Sequence, residues 1–187
     1  SYLFLNMKHL NAFWLTVFGL FLFSQIAGAQ EAEPVQDHKH ALSILLAHDH
    51  ISQGIRDGER SWITVPSFMF AYNYLISEKW AVGLAGDLII EQFAVETESG
   101  EGTELLERSY PLALVALGTY KPIENLGVLI GGGLEYEKEE SFALIRFGVE
   151  PNLEISHRFE LILNLSYDIK IDAYDNWNLG FGVAYAF

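Results

Sequence analysis

The stretch Asn176 to Phe187, NWNLGFGVAYAF, alternates a large apolar residue with a small or polar one at every step. Trp177, Leu179, Phe181, Val183, Tyr185 and Phe187 fall on one side of an extended chain. Asn178, Gly180, Gly182, Ala184 and Ala186 fall on the other, because side chains in a strand repeat with a period of two. One face is continuously greasy and the other nearly bare. A strand closing a barrel against lipid has this character, whereas a soluble sandwich seldom exposes such a face.

Composition narrows the choices. Half of the 187 residues are hydrophobic, and 25 Asp and Glu stand against 11 Lys and Arg. That acidic excess argues against nucleic acid as a partner, since phosphate recognition needs a basic footprint. With no cysteine, a disulfide framework and a Cys-based metal site are both excluded.

The N-terminal part reads as an address. Met7-Lys8-His9 precedes the apolar run Leu10 to Phe23, and Ala27-Gly28-Ala29 supplies small residues for cleavage after Ala29. Residues 1–29 are therefore expected to be upstream sequence plus a signal peptide, 30–39 a periplasmic linker, and 40–187 the folded domain. No later segment approaches the roughly 20 apolar residues of a spanning helix. Entry into a membrane would then require a closed barrel, because open sheet edges cannot be left in lipid.

Working back from the closing stretch, eight strand-like runs emerge: about 40–51, 62–76, 80–96, 108–121, 126–137, 142–156, 159–171 and 176–187. Turn chemistry links them, never a helical crossover, which predicts an all-β, antiparallel, up-and-down transmembrane barrel of eight strands. The first and third connections, QGIRDGER and TESGEGTE, read as long polar loops. Pro66 and Pro111 each remove a ladder donor and are expected to mark bulges. In the seventh run Phe159, Leu161, Leu163, Leu165, Tyr167, Ile169 and Ile171 oppose a polar face. The second to fourth runs alternate less cleanly, with Ile63, Val65, Met69, Val115 and Leu117 on the inward face. Two aromatic belts are expected: Trp62, Tyr110, Tyr136, Tyr174 and Trp177 at outer strand ends, and Tyr74, Trp80, Tyr120 and Tyr185 at inner ends.

These runs, the leader and the terminal Tyr185-Ala186-Phe187 resemble the small eight-stranded outer-membrane barrels of Gram-negative bacteria, the OmpA/OmpX/OmpW-like group. The resemblance covers about Lys39 to Phe187. It implies an outer-membrane location and an assembly signal in Phe181, Val183, Tyr185 and Phe187 read by the barrel-assembly machinery. It also implies a role in surface anchoring, adhesion or passage of small solutes, and contact with outer-membrane lipid and lipopolysaccharide. The chain is expected to be a monomer without cofactor or metal.

Candidate chemistry lies first in the inward charges: Asp87, Glu91, Arg108, Glu135, Glu137, Arg146, Glu150, Glu154, Glu160, Asp168 and Lys170. An eight-stranded lumen is only wide enough for side chains, so these groups must pair or take up water. The reading is a non-enzymatic barrel with a filled, charged lumen and at most small-solute or ion passage. Two i,i+2 histidine pairs, His38/His40 and His48/His50, place imidazoles on common faces but lack a third metal ligand. His50-Ile51-Ser52 is an H-x-S pattern like that of eight-stranded lipid A deacylases, in which a base activates a serine. The acids Glu96, Glu98, Glu101, Glu104 and Glu107 suit cation or lipopolysaccharide contact.

Overall fold

Ten strands form in the computed structural model, which describes residues 38–99, 102–138 and 140–187. They are β1 (His40–Arg56), β2 (Glu59–Ser77), β3 (Trp80–Ile89), β4 (Gln92–Ser99), β5 (Gly102–Ser109), β6 (Leu112–Ile123), β7 (Leu126–Tyr136), β8 (Phe142–Ser156), β9 (Phe159–Lys170) and β10 (Asp175–Ala186). Every pairing is antiparallel, and eight of the ten strands close on themselves. The ring runs β1-β2-β3-β6-β7-β8-β9-β10 and is sealed by β10 against β1.

That seal runs in unbroken register from Ala41↔Ala186 to Ile51↔Asn176. Phe187 completes it, donating its N–H to the His40 carbonyl at 2.8 Å and accepting from the His40 N–H at 3.1 Å. At the end where β1 begins and β10 finishes, the connections are two-residue turns at 78–79, 124–125 and 157–158. At the other end β1 and β2 also join through a two-residue turn, at 57–58, while the connections at 137–141 and 171–174 are longer.

The face alternation decides what lies inside. Leu42, Ile44, Leu46, Leu84, Leu114, Ile130, Leu163, Leu179 and Phe181 are exposed around the outer wall. Their in-strand neighbours Leu45, Ala47, Ala85, Ala113, Val115, Leu129, Ile162 and Asn164 are buried. Val65, Met69 and Val115 do face inward, so the irregular runs obey the same geometry.

Four sequence readings are corrected. The polar stretch 52–61 is not a loop: β1 and β2 continue through it and close in a tight turn at Asp57 (φ 54°) and Gly58 (φ 82°). Positive φ at both central residues is the type I′ signature that Asp-Gly favours. The third run breaks at Ile90–Glu91, and the acidic segment after it folds as the β4–β5 hairpin, which touches β1 at Gly54↔Val95. Pro66 and Pro111 mark no bulge. Register shifts lie instead at Ile51/Gly54, Leu75/Ser77, Tyr120/Ile123 and Glu154/Ser156.

The prolines end β3. The Pro66 carbonyl accepts from Ile90 N–H at 3.0 Å and the Pro111 carbonyl from Ile89 N–H at 3.1 Å. A strand residue presents its carbonyl and its N–H to the same side, so both flanking strands lack a donor toward β3 at that level. Finally, Tyr174 leaves the outer belt and is wholly buried in the β9–β10 connection.

The belts otherwise form on the wall. Trp62, Tyr110, Tyr136 and Trp177 are exposed near one rim. Trp80 lies 4.7 Å from Tyr120, and His40 packs between Tyr72, Tyr74 and Phe187 near the other.

Candidate functional site

Small residues on the inward face of the closing strand leave space that apolar side chains fill. Gly180 borders Met69, Ala47 and Leu45, and Ala184 is buried with Leu45, Met69 and Ile162. A Cβ on Gly182 would meet the backbone of Ile44 and Leu45, so close approach of β10 to β1 demands glycine there. Toward the far end Ile51, Val65, Ile89, Phe93, Val95 and Tyr174 form a second apolar cluster, with the β4–β5 hairpin contributing Phe93 and Val95.

Between these apolar layers lies a polar one. Arg146 on β8 directs Nε and Nη2 at the two oxygens of Asp168 on β9, each at 2.6 Å. The register Arg146↔Asp168 makes this bidentate bond a cross-strand pair. A further nitrogen of the same guanidinium meets Asp87 on β3, across the lumen. Arg108, at the end of β5, reaches Glu135 at 2.8 Å, Glu137 at 3.7 Å and the Glu140 carbonyl at 2.7 Å. Lys170 lies 3.3 Å from Glu135 and bonds Asn176. Tyr174 donates to Glu135 at 2.5 Å, with the Lys170 ammonium 4.2 Å from its ring centre. Burial pushes the Tyr174 hydroxyl well above its ordinary range, and the adjacent Glu135 carboxylate pushes the same way.

Arg108 and Arg146 are, respectively, 0% and 1% exposed, and such charges persist in a low-dielectric interior only when paired and hydrogen-bonded. The inward residues read from sequence therefore divide. Asp87, Arg108, Glu135, Glu137, Arg146, Asp168 and Lys170 are buried, and the contacts above join them. Glu150 and Glu160 are half-buried on Asn164 and Asn152, at 3.2 and 2.5 Å. Glu91 and Glu154 stand apart. Glu91 is exposed in the β3–β4 break, and Glu154 is exposed beside His157 at the end of β8.

Several participants escaped the sequence reading. Asn176 and Asn178 donate to the two oxygens of buried Asp49, at 2.6 and 3.1 Å. Asp49 sits in phase with Leu45 and Ala47 on β1, a parity that pointed inward. The flanking histidines drew attention to the opposite face. His50 bonds Thr64 at 2.8 Å, while the Ser52 hydroxyl donates to Gln53 and to the Asp175 carbonyl. His50 and Ser52 are thus each engaged elsewhere, and the base–nucleophile pair of the deacylase reading does not form. Among the described residues, no group of three His, Asp or Glu is placed to hold a metal ion.

Ail, the attachment invasion locus protein of Yersinia pestis, matches this structure with a TM-score of 0.53 at 16% identity, over 81% of this chain and 100% of that one. The fold is that of the small eight-stranded outer-membrane barrels. Lower scores come from OprG of Pseudomonas aeruginosa (0.47, 12% identity, 82% of this chain and 99% of that one). Neisserial surface protein A gives 0.48 at 11% identity, over 79% and 97%. No protein-family model matches the sequence, and no curated protein does.

Proposed function

We propose that the chain is an integral barrel of a Gram-negative outer membrane, non-enzymatic, closed to all but the smallest solutes, and active through surface contact. The supporting observation is the pairing of two faces: an exposed apolar wall encircling a charged, hydrogen-bonded interior. Soluble proteins rarely expose apolar patches beyond a few hundred Å². A lipid bilayer removes that cost, and ring closure leaves no unpaired barrel edge within it. The likeness to Ail supports the same assignment through its fold.

Passage through the lumen is opposed by Arg108, Arg146 and Tyr174, each at or below 1% exposure. Surface contact, with lipopolysaccharide or a neighbouring cell, would run through the extended β1–β2 ribbon and the β4–β5 hairpin, where Glu59, Arg60 and Glu107 are exposed. Phe181, Val183, Tyr185 and Phe187 would serve as the assembly signal.

Refolding into lipid vesicles, followed by planar-bilayer recording, tests the reading. The expected result is a heat-modifiable band with a silent bilayer. A protein that stays soluble and monomeric without detergent would refute membrane insertion, and stable conductance steps would refute the closed lumen. Deletion of Phe187 should slow assembly in cells; unchanged insertion would remove the role given to that signal.

A further inference from the structure

Below the polar layer the interior is not filled. Toward the end where β1 begins and β10 finishes, inward side chains from β1, β2, β3, β6, β7, β8 and β9 enclose a partly open cavity of about 20 Å³. Exposure is graded along it. Ser43, Asn73, Thr119 and Glu150 are half-buried, whereas Leu45, Met69, Ala85 and Leu129, further along the same strands or their neighbours, are buried. The cavity therefore opens at that end and stops at Arg146, whose pairs with Asp87 and Asp168 close the lumen beyond it. It is a pocket with one mouth.

Two observations give the pocket its chemistry. Glu150 is the one carboxylate among its lining residues, and its direct partner is neutral, the Asn164 amide 3.2 Å away on β9. Among the described residues, Asp87, Glu135, Glu137 and Asp168 each have a Lys or Arg nitrogen within 4.0 Å, and Glu150 has none. An ionised carboxyl held by one amide keeps acceptor capacity for a further donor. The second observation is the room left beside it. Gly127 faces Glu150 across the β7–β8 register, and a Cβ there would lie 3.1 Å from Thr119 Cγ2 and 3.7 Å from Glu150 Cβ. Glycine thus leaves open a space between Thr119 and Glu150 that any other residue would fill. The same cavity is lined at its mouth by the Ser43 and Thr119 hydroxyls and the Asn73 amide, and in its depth by leucine and methionine.

We infer that this pocket binds a short aliphatic primary amine, with the ammonium on Glu150 at the mouth and the alkyl end toward Leu45, Met69 and Leu129. An ammonium group is close to water in size and carries three donors and no acceptor. A cavity able to hold about one water, offering carboxylate, hydroxyl and amide oxygens, suits such a head and limits the alkyl part to a carbon or two. A cation beside Glu150 offsets the desolvation of a carboxylate that a neutral amide compensates only in part. Such binding is separate from the surface contact proposed above, and Arg146 at the blind end means the amine is held rather than passed.

The test is calorimetric titration of the detergent-refolded full chain with ethylammonium chloride, with tetramethylammonium chloride and sodium acetate at the same ionic strength as controls. Wild type should bind ethylammonium saturably, and neither control should compete. Glu150→Gln keeps an acceptor for the Asn164 amide and should weaken binding about ten- to a hundredfold, the worth of a hydrogen bond to a charged group. Exposed Glu154→Gln should bind as wild type does. If Glu150→Gln does not fold, Ser43→Cys gives a second reading in a chain with no cysteine of its own. An ammonium-bearing thiol reagent should label it faster than a sulfonate-bearing one, and ethylammonium should slow that labelling. Absence of saturation, equal binding of tetramethylammonium, wild-type affinity in Glu150→Gln, or equal labelling without protection would each overturn the proposal. Binding in detergent is read apart from vesicle insertion and bilayer conductance, so a failure here is distinct from a failure of the membrane reading.

Discussion

Replacing Arg146 by Met removes the guanidinium that joins Asp87 to Asp168 and keeps a long side chain in its place. In the folded barrel Arg146 is 1% exposed and makes two 2.6 Å bonds to Asp168 while pairing with Asp87. Without it, two carboxylates that are 4% and 2% exposed face the same low-dielectric space with no counter-charge. Removing one partner of a buried ion pair costs about 3–5 kcal/mol, most of it from the charge left behind. For a chain of this size each kcal/mol moves the unfolding midpoint by about 2–4 °C, so Arg146→Met should lower it by roughly 6–20 °C. The origin of the loss is separable. Adding Asp87→Asn and Asp168→Asn to Arg146→Met removes the stranded charges and should recover most of the stability, since buried ionic groups can often be replaced at little net cost. Urea titration of vesicle-inserted protein, followed by Trp fluorescence and by the folded band, gives all three values. Trp62, Trp80 and Trp177 are exposed on the wall and report loss of lipid contact. A single-mutant loss below about 1 kcal/mol, or a triple mutant no better than the single, would refute the claim that this pair is buried and dry.

Other expectations follow from close approach, turn geometry and the Tyr174 hydroxyl. Gly182→Val places a side chain on the backbone of Ile44 and Leu45, whereas a Cβ at Gly118 meets only the Ile130 carbonyl at 3.8 Å. Band-shift assays should find Gly182→Val unable to close and Gly118→Ala folded. Gly58→Val forces a β-branched residue to φ 82° and should loosen the ribbon at 52–61 by about 1–2 kcal/mol while sparing the barrel. Limited trypsin digestion at Arg56 and Arg60 would reveal it, and unchanged resistance would count against the type I′ turn. Tyr174→Phe deletes the donor to Glu135 and should cost about 1–2 kcal/mol in urea unfolding. The raised Tyr174 value carries a definite sign: its contribution is complete below the ordinary tyrosine value near 10 and fades as pH rises through the higher folded value. Ultraviolet titration of the folded protein should therefore show a late-ionising tyrosine that Tyr174→Phe removes.

Local pattern carried the architecture. A period of two needs only neighbouring residues, so Trp177 to Phe187 and the runs before it disclosed strands, faces and the β10–β1 seal without reference to any distant contact. The same parity placed Arg146, Asp168 and Lys170 inward, whereas Arg108, out of phase with inward Val115, is buried because it lies on β5. Where a strand is interrupted parity fails, as at Glu91, and near a strand end inwardness no longer means burial, as at Glu154.

What only the tertiary structure decided is which groups meet. Asp87 lies far from Arg146 in sequence and on a strand that is not its neighbour, so their contact depends on the stagger of strands around the ring. The end of β3 likewise rests on two prolines, Pro66 in β2 and Pro111 just before β6, acting at one level, and the acidic segment's hairpin fold depends on a foothold on β1. The small face of the closing strand shows the division most plainly. Alternation in NWNLGFGVAYAF marked that face as inward, but closure alone decided that Gly180, Gly182 and Ala184 would pack against Leu45, Met69 and Ile162 rather than against charge. Side-chain direction is a property of the local backbone; side-chain company is a property of the closed ring.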